Sequence, residues 1–211
     1  MNKGKMQANM KPEELKQHIA SLYNGGEEYL AAASIREESS KAFNEGSFQT
    51  LKDEAWRHTD ISPIFEHSYA RPADAEVTKE ELQKFIIPHA DVDVLVFVNG
   101  YFKASLSDIK SSGKEMVVTD MRTARQEYPD IFNNYFEKSG LYNRNIFTAA
   151  NTAYAGQGSF ILIKKGKMPE RMVQIIHVNH PGNQNTLVFP RNLVVAESGS
   201  SARIVESHYS Q

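Results

Sequence analysis

Histidines and carboxylates in the second half of the chain are the residues whose types could do chemistry. His177 and His180 form an H-x-x-H pattern, and Glu206 and His208 alternate along a later segment. An H-x-x-H pair on a helix can share a metal, but this one lies on a predicted strand, where positions i and i+3 face opposite sides. Glu206 and His208 share a face, yet two groups make no site. Because zinc needs three or four converging ligands, we predict no metal ligand and interpret all four residues as structural or solvated.

Glycine and serine patterns give no catalytic site either. The Gly-Gln-Gly-Ser run at 156–159 precedes a strand, whereas a phosphate-binding loop requires glycines between a strand and a helix N-terminus. The Gly-Ser-Ser run at 199–201 lacks the G-x-S-x-G pattern of serine hydrolases. We therefore predict no catalytic residue and a protein that is not an enzyme, and we assign no cofactor-binding residue.

Composition excludes several function classes. The 211 residues include 24 Lys+Arg and 26 Asp+Glu, a formal net charge of −2, which argues against a nucleic-acid partner. The chain has no cysteine, so it contains no disulfide, thiol nucleophile or all-cysteine cluster ligation. The opening residues form no apolar signal segment, and no apolar stretch approaches the roughly 20 residues that span a bilayer. We expect a cytoplasmic protein with no membrane partner.

The elements that would position these residues change character along the chain. Helical periodicity is evident in the first 60 residues, where Leu15, Ile19, Leu22 and Tyr23 share one face. Further helices are predicted at 27–44 and from residue 47 onward. Thr78 and Glu81 then form an S/T-x-x-E capping box at the start of a short helix.

From residue 91 the period changes to two, which predicts strands. Val92, Val94, Val96 and Val98 face one way, and Asn99-Gly100 is a two-residue hairpin signal. Asp120 is a predicted N-cap. Short β segments follow at 159–164, 172–178, 186–189, 193–197 and 202–209, with no helical period after about residue 151. This spacing alone fits a sandwich, a barrel or a β-solenoid.

Four segments, in order, resemble the SufB/SufD family of iron–sulfur cluster assembly proteins. The family's E-x-W-R-x-T and V-x-V-N-G-x-F…L-S patterns match residues 54–59 (EAWRHT), 96–102 (VFVNGYF) and 106–107 (LS). Its β-core entry and P-R-N-L…E…I-E-x-Y run match residues 151–154 (NTAY), 190–197 (PRNLVVAE), Ile204 and 206–209 (ESHY). The match covers residues 54–209.

The resemblance implies a fold class. We expect an α+β protein in which an N-terminal helical region and a small α/β hairpin part, residues 1–150, lead into the first rungs of a right-handed parallel β-helix, residues 151–211. The absence of cysteine favours the SufD branch, because SufB is expected to carry the essential cysteine. The family's interface histidine and SufC-binding segment are expected beyond Gln211. No functional residue is therefore carried over, and Trp56, Arg57 and the P-R-N-L motif are interpreted as structural.

The resemblance also implies a function and partners. We expect a scaffold subunit that acts with SufB and the ATPase SufC, while the complex, rather than this part of it, handles the iron–sulfur cluster. A homodimer is left open. The alternatives are a β-helix carbohydrate-active enzyme, such as a polysaccharide lyase or hydrolase, and a β-rich binding domain. The lyase or hydrolase would need acids, cations and aromatic residues clustered on one solenoid face, and the β region offers only scattered Lys164, Lys165, Arg171 and His177.

Overall fold

The structure of the chain, a computed structural model, describes residues 9–23, 29–136, 145–180, 182 and 184–210. The α-helices of these residues are α1 (Pro12–Leu22), α2 (Ala33–Glu45), α3 (Lys79–Gln83), α4 (Met121–Glu127), α5 (Pro129–Phe136) and α6 (Ile146–Tyr154). Their strands are β1 (Tyr69–Ala70), β2 (Val92–Val98), β3 (Tyr101–Phe102), β4 (Met116–Asp120), β5 (Ser159–Ile163), β6 (Met172–Asn179), β7 (Asn185–Thr186), β8 (Leu193–Ala196) and β9 (Ile204–Ser210).

Two sheets contain most of the strands. The first sheet has the order β3-β2-β6-β9, with β2, β6 and β9 parallel and β3 antiparallel to β2. The second sheet has the order β4-β5-β8, with β5 and β8 parallel and β4 antiparallel to β5. Strands β1 and β7 form a separate short parallel pair. Strands β8 and β9 are thus the outermost strands of their sheets.

The core between the two sheets is apolar and comes from both of them. It comprises Leu95, Phe97, Val173 and Ile175 of the first sheet and Met116, Val118, Ile161 and Ile163 of the second. The opposite face of the first sheet, with the four alternating valines of β2, packs against Val77 and Leu82 around α3. This division of β2 into two buried faces is the one that its sequence alternation predicts.

Helices cover the outer side of the second sheet. Phe160 and Leu162 of β5 pack against Met121 of α4 and Phe132 of α5. A separate aromatic and aliphatic cluster joins α1, α2 and α6. Helix α3, the first sheet, the second sheet and the pair α4 and α5 therefore form successive layers.

Local signals in the sequence predict several element boundaries correctly. The Thr78 hydroxyl accepts a hydrogen bond from the backbone N–H of Glu81 while the Glu81 carboxylate accepts one from the N–H of Thr78, so the capping box is confirmed. Asn99 and Gly100 both have positive φ, at 51° and 83°, in the turn between β2 and β3. Asp120 accepts from two backbone N–H groups at the start of α4.

The helix predicted from residue 47 is wrong. Only a 3-10 turn, Glu54–Trp56, forms there, and the side chain of Leu51 is exposed. The Asp53 carboxylate accepts hydrogen bonds from the backbone N–H and hydroxyl of Thr50, which closes a local turn. Such side-chain to backbone bonds compete with helix formation, and this competition explains the difference.

The right-handed parallel β-helix predicted for residues 151–211 is also wrong. The predicted strand positions are close to those of β5, β6, β8 and β9, but the strands belong to small mixed sheets that neither close nor coil. The strands after residue 151 do not form a stack of their own: β6 lies between β2 and β9, and β5 lies between β4 and β8, with β4 antiparallel to it. The α+β class itself is compatible with the structure.

Strand pairing crosses the position at which two domains are predicted. Strand β2 precedes residue 150, and its parallel partner β6 follows it. The division into 1–150 and 151–211 stays a prediction. Among the described residues, no helix is long and apolar enough to cross a membrane.

Gly158 is expected to be essential for the close approach of the two segments that lead into the neighbouring strands β5 and β8. A Cβ at this position would lie 1.6 Å from the carbonyl oxygen of Arg191, which is backbone and cannot rotate away. We predict that Gly158→Ala lowers the free energy of unfolding by more than about 3 kcal/mol, as measured by urea denaturation.

The matched control is Gly166→Ala. Gly166 has a φ of +69°, but a Cβ there would have nothing within 4 Å. Only backbone strain of about 1–2 kcal/mol is then expected. Equal losses in the two variants would contradict the close packing of Gly158 on Arg191.

Candidate functional site

The site is formed by one residue of β6 and two residues of β9. In the parallel pairing of these strands, His177 lies directly opposite His208, and Glu206 precedes His208 by two positions. In-register neighbours and residues two apart project from the same face of a sheet. We call His177, Glu206 and His208 the His–Glu–His cluster.

The ligand-type atoms of the His–Glu–His cluster converge. The Nε2 atom of His177 lies 3.1 Å from Oε1 of Glu206, and the Nε2 atom of His208 lies 3.3 Å from the same oxygen. All three atoms lie within 4.8 Å of one another. The side chain of His177 is only 6% exposed, whereas those of Glu206 and His208 are 40% and 57% exposed. The cluster thus has a buried base and an open side.

Ring stacking fixes the orientation of His177. Phe97 of β2 is the register partner of His177 on the other side. The rings of Phe97 and His177 have centroids 5.1 Å apart, and those of His177 and His208 are 4.6 Å apart and nearly parallel. Three aromatic rings therefore form a row across β2, β6 and β9 that begins in the apolar core and ends at the outermost strand.

Asn192, which precedes β8, holds the carboxylate from the second sheet. Its Nδ2 group donates to Oε1 of Glu206 over 2.8 Å. Its Oδ1 atom accepts from the backbone N–H and the hydroxyl of Ser159, at 3.0 and 2.9 Å. Asn192 thus fixes the oxygen that faces both imidazoles, and it does so from a residue of the predicted P-R-N-L motif.

Burial decides the charge of the deepest histidine. Removal from water, together with the neighbouring imidazole of His208, lowers the pKa of His177 to about 4, although Glu206 acts in the opposite direction. At neutral pH His177 is therefore uncharged, and its contact with Glu206 is not an ion pair. A neutral imidazole keeps a nitrogen lone pair that can accept a proton or bind a metal.

The sequence prediction treated these residues separately. It correctly predicts that Glu206 and His208 share a face. His180, paired with His177 in the H-x-x-H pattern, is exposed just after β6, and its backbone N–H bonds to Asn99. What sequence reasoning missed is the pairing of β6 with β9. A histidine within an otherwise apolar strand, followed by an alternating Glu and His on a later strand, is the signal that was present.

The remaining motif residues make structural contacts. The Arg191 guanidinium donates to Oδ1 of Asn151 and to the hydroxyl of Thr152, so it ties the approach to β8 to helix α6. Trp56 is half-buried and stacks on Phe147 of α6, with ring centroids 5.5 Å apart. These contacts join separate elements, as the sequence interpretation of both motifs expects.

The pKa of His177 predicts a specific pH dependence of stability. Since the unfolded pKa is about 6.5 and the folded pKa about 4, the unfolded state binds more protons between these values. Stability is therefore lost as pH falls through this window. We predict that the free energy of unfolding drops by about 2 kcal/mol more, from pH 7 to pH 4.5, in the parent than in His177→Gln.

Urea denaturation at a series of pH values measures this difference. The control is His180→Gln, which removes an exposed histidine outside the cluster and should keep the slope of the parent. Parallel pH profiles for the parent and His177→Gln would show that His177 titrates normally in the folded chain.

Comparison with known proteins identifies the family. Residues 13–175 match the family model described as the SufBD protein N-terminal region. The chain is 35% identical to the iron–sulfur cluster assembly protein SufD of Bacillus subtilis over 98 residues, 46% of this chain and 22% of that protein. It is 22% identical over 157 residues to an iron–sulfur cluster assembly SufBD family protein of Synechocystis sp., covering 74% of this chain and 34% of that one.

A third relative is an iron–sulfur cluster assembly SufBD family protein of Staphylococcus aureus, 27% identical over 136 residues, 62% of this chain and 29% of that protein. The chain thus spans about a fifth to a third of the length of these relatives. The matched family region includes β2 to β5 and most of the helices, and it ends within β6. On this evidence, the chain belongs to the SufBD family.

Proposed function

We propose that the chain supplies the N-terminal region of a scaffold subunit in iron–sulfur cluster assembly. The observation that carries the proposal is the match of residues 13–175 to the SufBD N-terminal region, together with a relative named for this process. The scaffold acts with SufB and the ATPase SufC, and it works in the cytoplasm, where ATP is available to SufC.

The proposed role is non-enzymatic. The polar motif residues support this reading, because they bind other parts of the same chain. Arg191 bonds to helix α6, and Asn192 bonds to both Ser159 and Glu206. A scaffold needs a rigid arrangement of strands that presents a surface, and these bonds connect the two sheets with each other and with the helices. The iron–sulfur cluster is the cargo of the complex in this proposal.

The outermost strands are the surface proposed to contact SufB. Val194 of β8 is 46% exposed and Val205 of β9 is 38% exposed, although both belong to apolar strand patterns. An outermost strand presents backbone donors and acceptors that another chain can pair with, and exposed valines add apolar area to such a contact. A second copy of this chain could use the same edges, and the experiment separates the two partners.

The test is co-purification of the tagged chain with SufB and SufC from the same organism. We predict that SufB is retained by the parent chain and that SufC is recovered together with SufB. The double variant Val194→Lys/Val205→Lys should retain at least about tenfold less SufB, because it would place charges inside the contact. The control is Leu51→Lys, which alters an apolar residue of similar exposure, 53%, outside both sheets.

Two results would contradict the proposal. Failure of the parent chain to retain SufB would refute the scaffold role itself. A chain that dimerises in light scattering, loses the dimer in the double variant and still retains SufB normally would assign the edges to a homodimer instead.

A further inference from the structure

The deepest atom of the His–Glu–His cluster lacks a hydrogen-bond partner among the residues that the structure describes. The Nε2 atom of His177 is buried and makes no hydrogen bond to them, although the nearest carboxylate oxygen is 3.1 Å away. The side chain around it is more than nine-tenths buried and is aimed at Glu206 and His208. Buried polar atoms are nearly always satisfied, so this nitrogen points to a partner that the described part of the chain does not supply.

The electrostatics of the cluster favour a positively charged partner. One carboxylate oxygen of Glu206 faces the Nε2 atoms of both histidines. The Nε2 atom of His177 lies 3.1 Å from this oxygen, and two electronegative atoms this close need a proton or a cation between them. The proton is poorly placed, because the contact lacks hydrogen-bond geometry. A cation between the three atoms would satisfy all of them.

We propose that His177, Glu206 and His208 form a binding site for a divalent first-row transition metal. Two imidazole nitrogens and one carboxylate oxygen are a donor set that Zn²⁺ and Fe²⁺ accept, whereas Ca²⁺ and Mg²⁺ prefer oxygen ligands alone. The inference does not depend on the proposed scaffold role. It departs from the sequence prediction of no metal, which rested on counting only two ligands on one face.

Two of the three distances between the ligand atoms fit such a metal closely. Zinc–nitrogen bonds of about 2.0–2.1 Å in a tetrahedral site place neighbouring ligand atoms about 3.3 Å apart. The two histidine–glutamate contacts are 3.1 and 3.3 Å. Three protein ligands leave a fourth position open, and the exposed sides of Glu206 and His208 provide the route by which an ion enters from solvent.

Ring geometry requires one adjustment on binding. A metal must lie in the plane of each imidazole it binds, and the rings of His177 and His208 are stacked nearly parallel, 8° apart. His177 is held by Phe97, whereas His208 is mostly exposed and can rotate toward the shared ion. Asn192 keeps the Glu206 carboxylate in place during this change, which is the part that outer hydrogen bonds play at metal sites.

The experiment is titration of the whole chain with ZnSO4 by calorimetry at pH 7, after treatment with a chelator. Binding of CoCl2, followed by visible absorption, reports on the coordination geometry. We expect one equivalent of metal per chain and the intense visible bands of a four- or five-coordinate cobalt site. His208→Gln and Glu206→Gln should each lower the affinity for zinc at least about tenfold.

Glu206 and His208 are largely open to solvent, so we expect these variants to fold as the parent does, and circular dichroism verifies it. His177→Gln should abolish the cobalt bands. The control His180→Gln changes a histidine outside the cluster and should bind zinc as the parent does. Absence of stoichiometric binding, or equal affinity in the parent and His208→Gln, would overturn the proposal.

Discussion

The parallel, in-register pairing of β2, β6 and β9 is the constraint on which the rest of the structure depends. It aligns Phe97, His177 and His208 in one row and sends the opposite faces of the same strands to two different apolar layers. A slip of one residue would turn every side chain of a strand to the other face, so the apolar pattern of β2 and β6 fixes the register strongly. Within the described residues the outermost strand β9 pairs with β6 alone, and the side chain of His208 is therefore open to solvent.

Much of the local structure was predictable because its causes are local. The Thr78–Glu81 capping box and the Asn99-Gly100 turn involve residues at most three positions apart, and the positions of most strands follow from alternation. The helix predicted from residue 47 failed for an equally local reason, the bonds between Asp53 and Thr50. The β-helix failed for a different reason. The positions of strands in the sequence do not specify which strands pair. The antiparallel pairing of β3 with β2 and of β4 with β5 depends on which surfaces can be buried together.

The candidate site was only half predictable for the same reason. Alternation places Glu206 and His208 on one face, but nothing within β9 indicates that His177 lies beside them. That contact depends on two strands separated by the whole of β7 and β8. The motif residues Arg191 and Asn192 show the opposite case, because the sequence identifies them as part of a family pattern. Their physical role appears only in the folded chain: Arg191 bonds to α6, and Asn192 bonds to the other sheet.

The register of β6 on β9 can be measured directly by disulfide formation. The chain has no cysteine of its own, so a pair introduced as His177→Cys/His208→Cys contains its only thiols. Adjacent parallel strands are about 4.8 Å apart, within the Cα separation that a disulfide accepts. The structure predicts rapid, nearly complete cross-linking under mild oxidation and little for His177→Cys/Ser207→Cys, whose side chains face opposite sides of the sheet. Preferential cross-linking of the second pair would contradict the register and, with it, the His–Glu–His cluster.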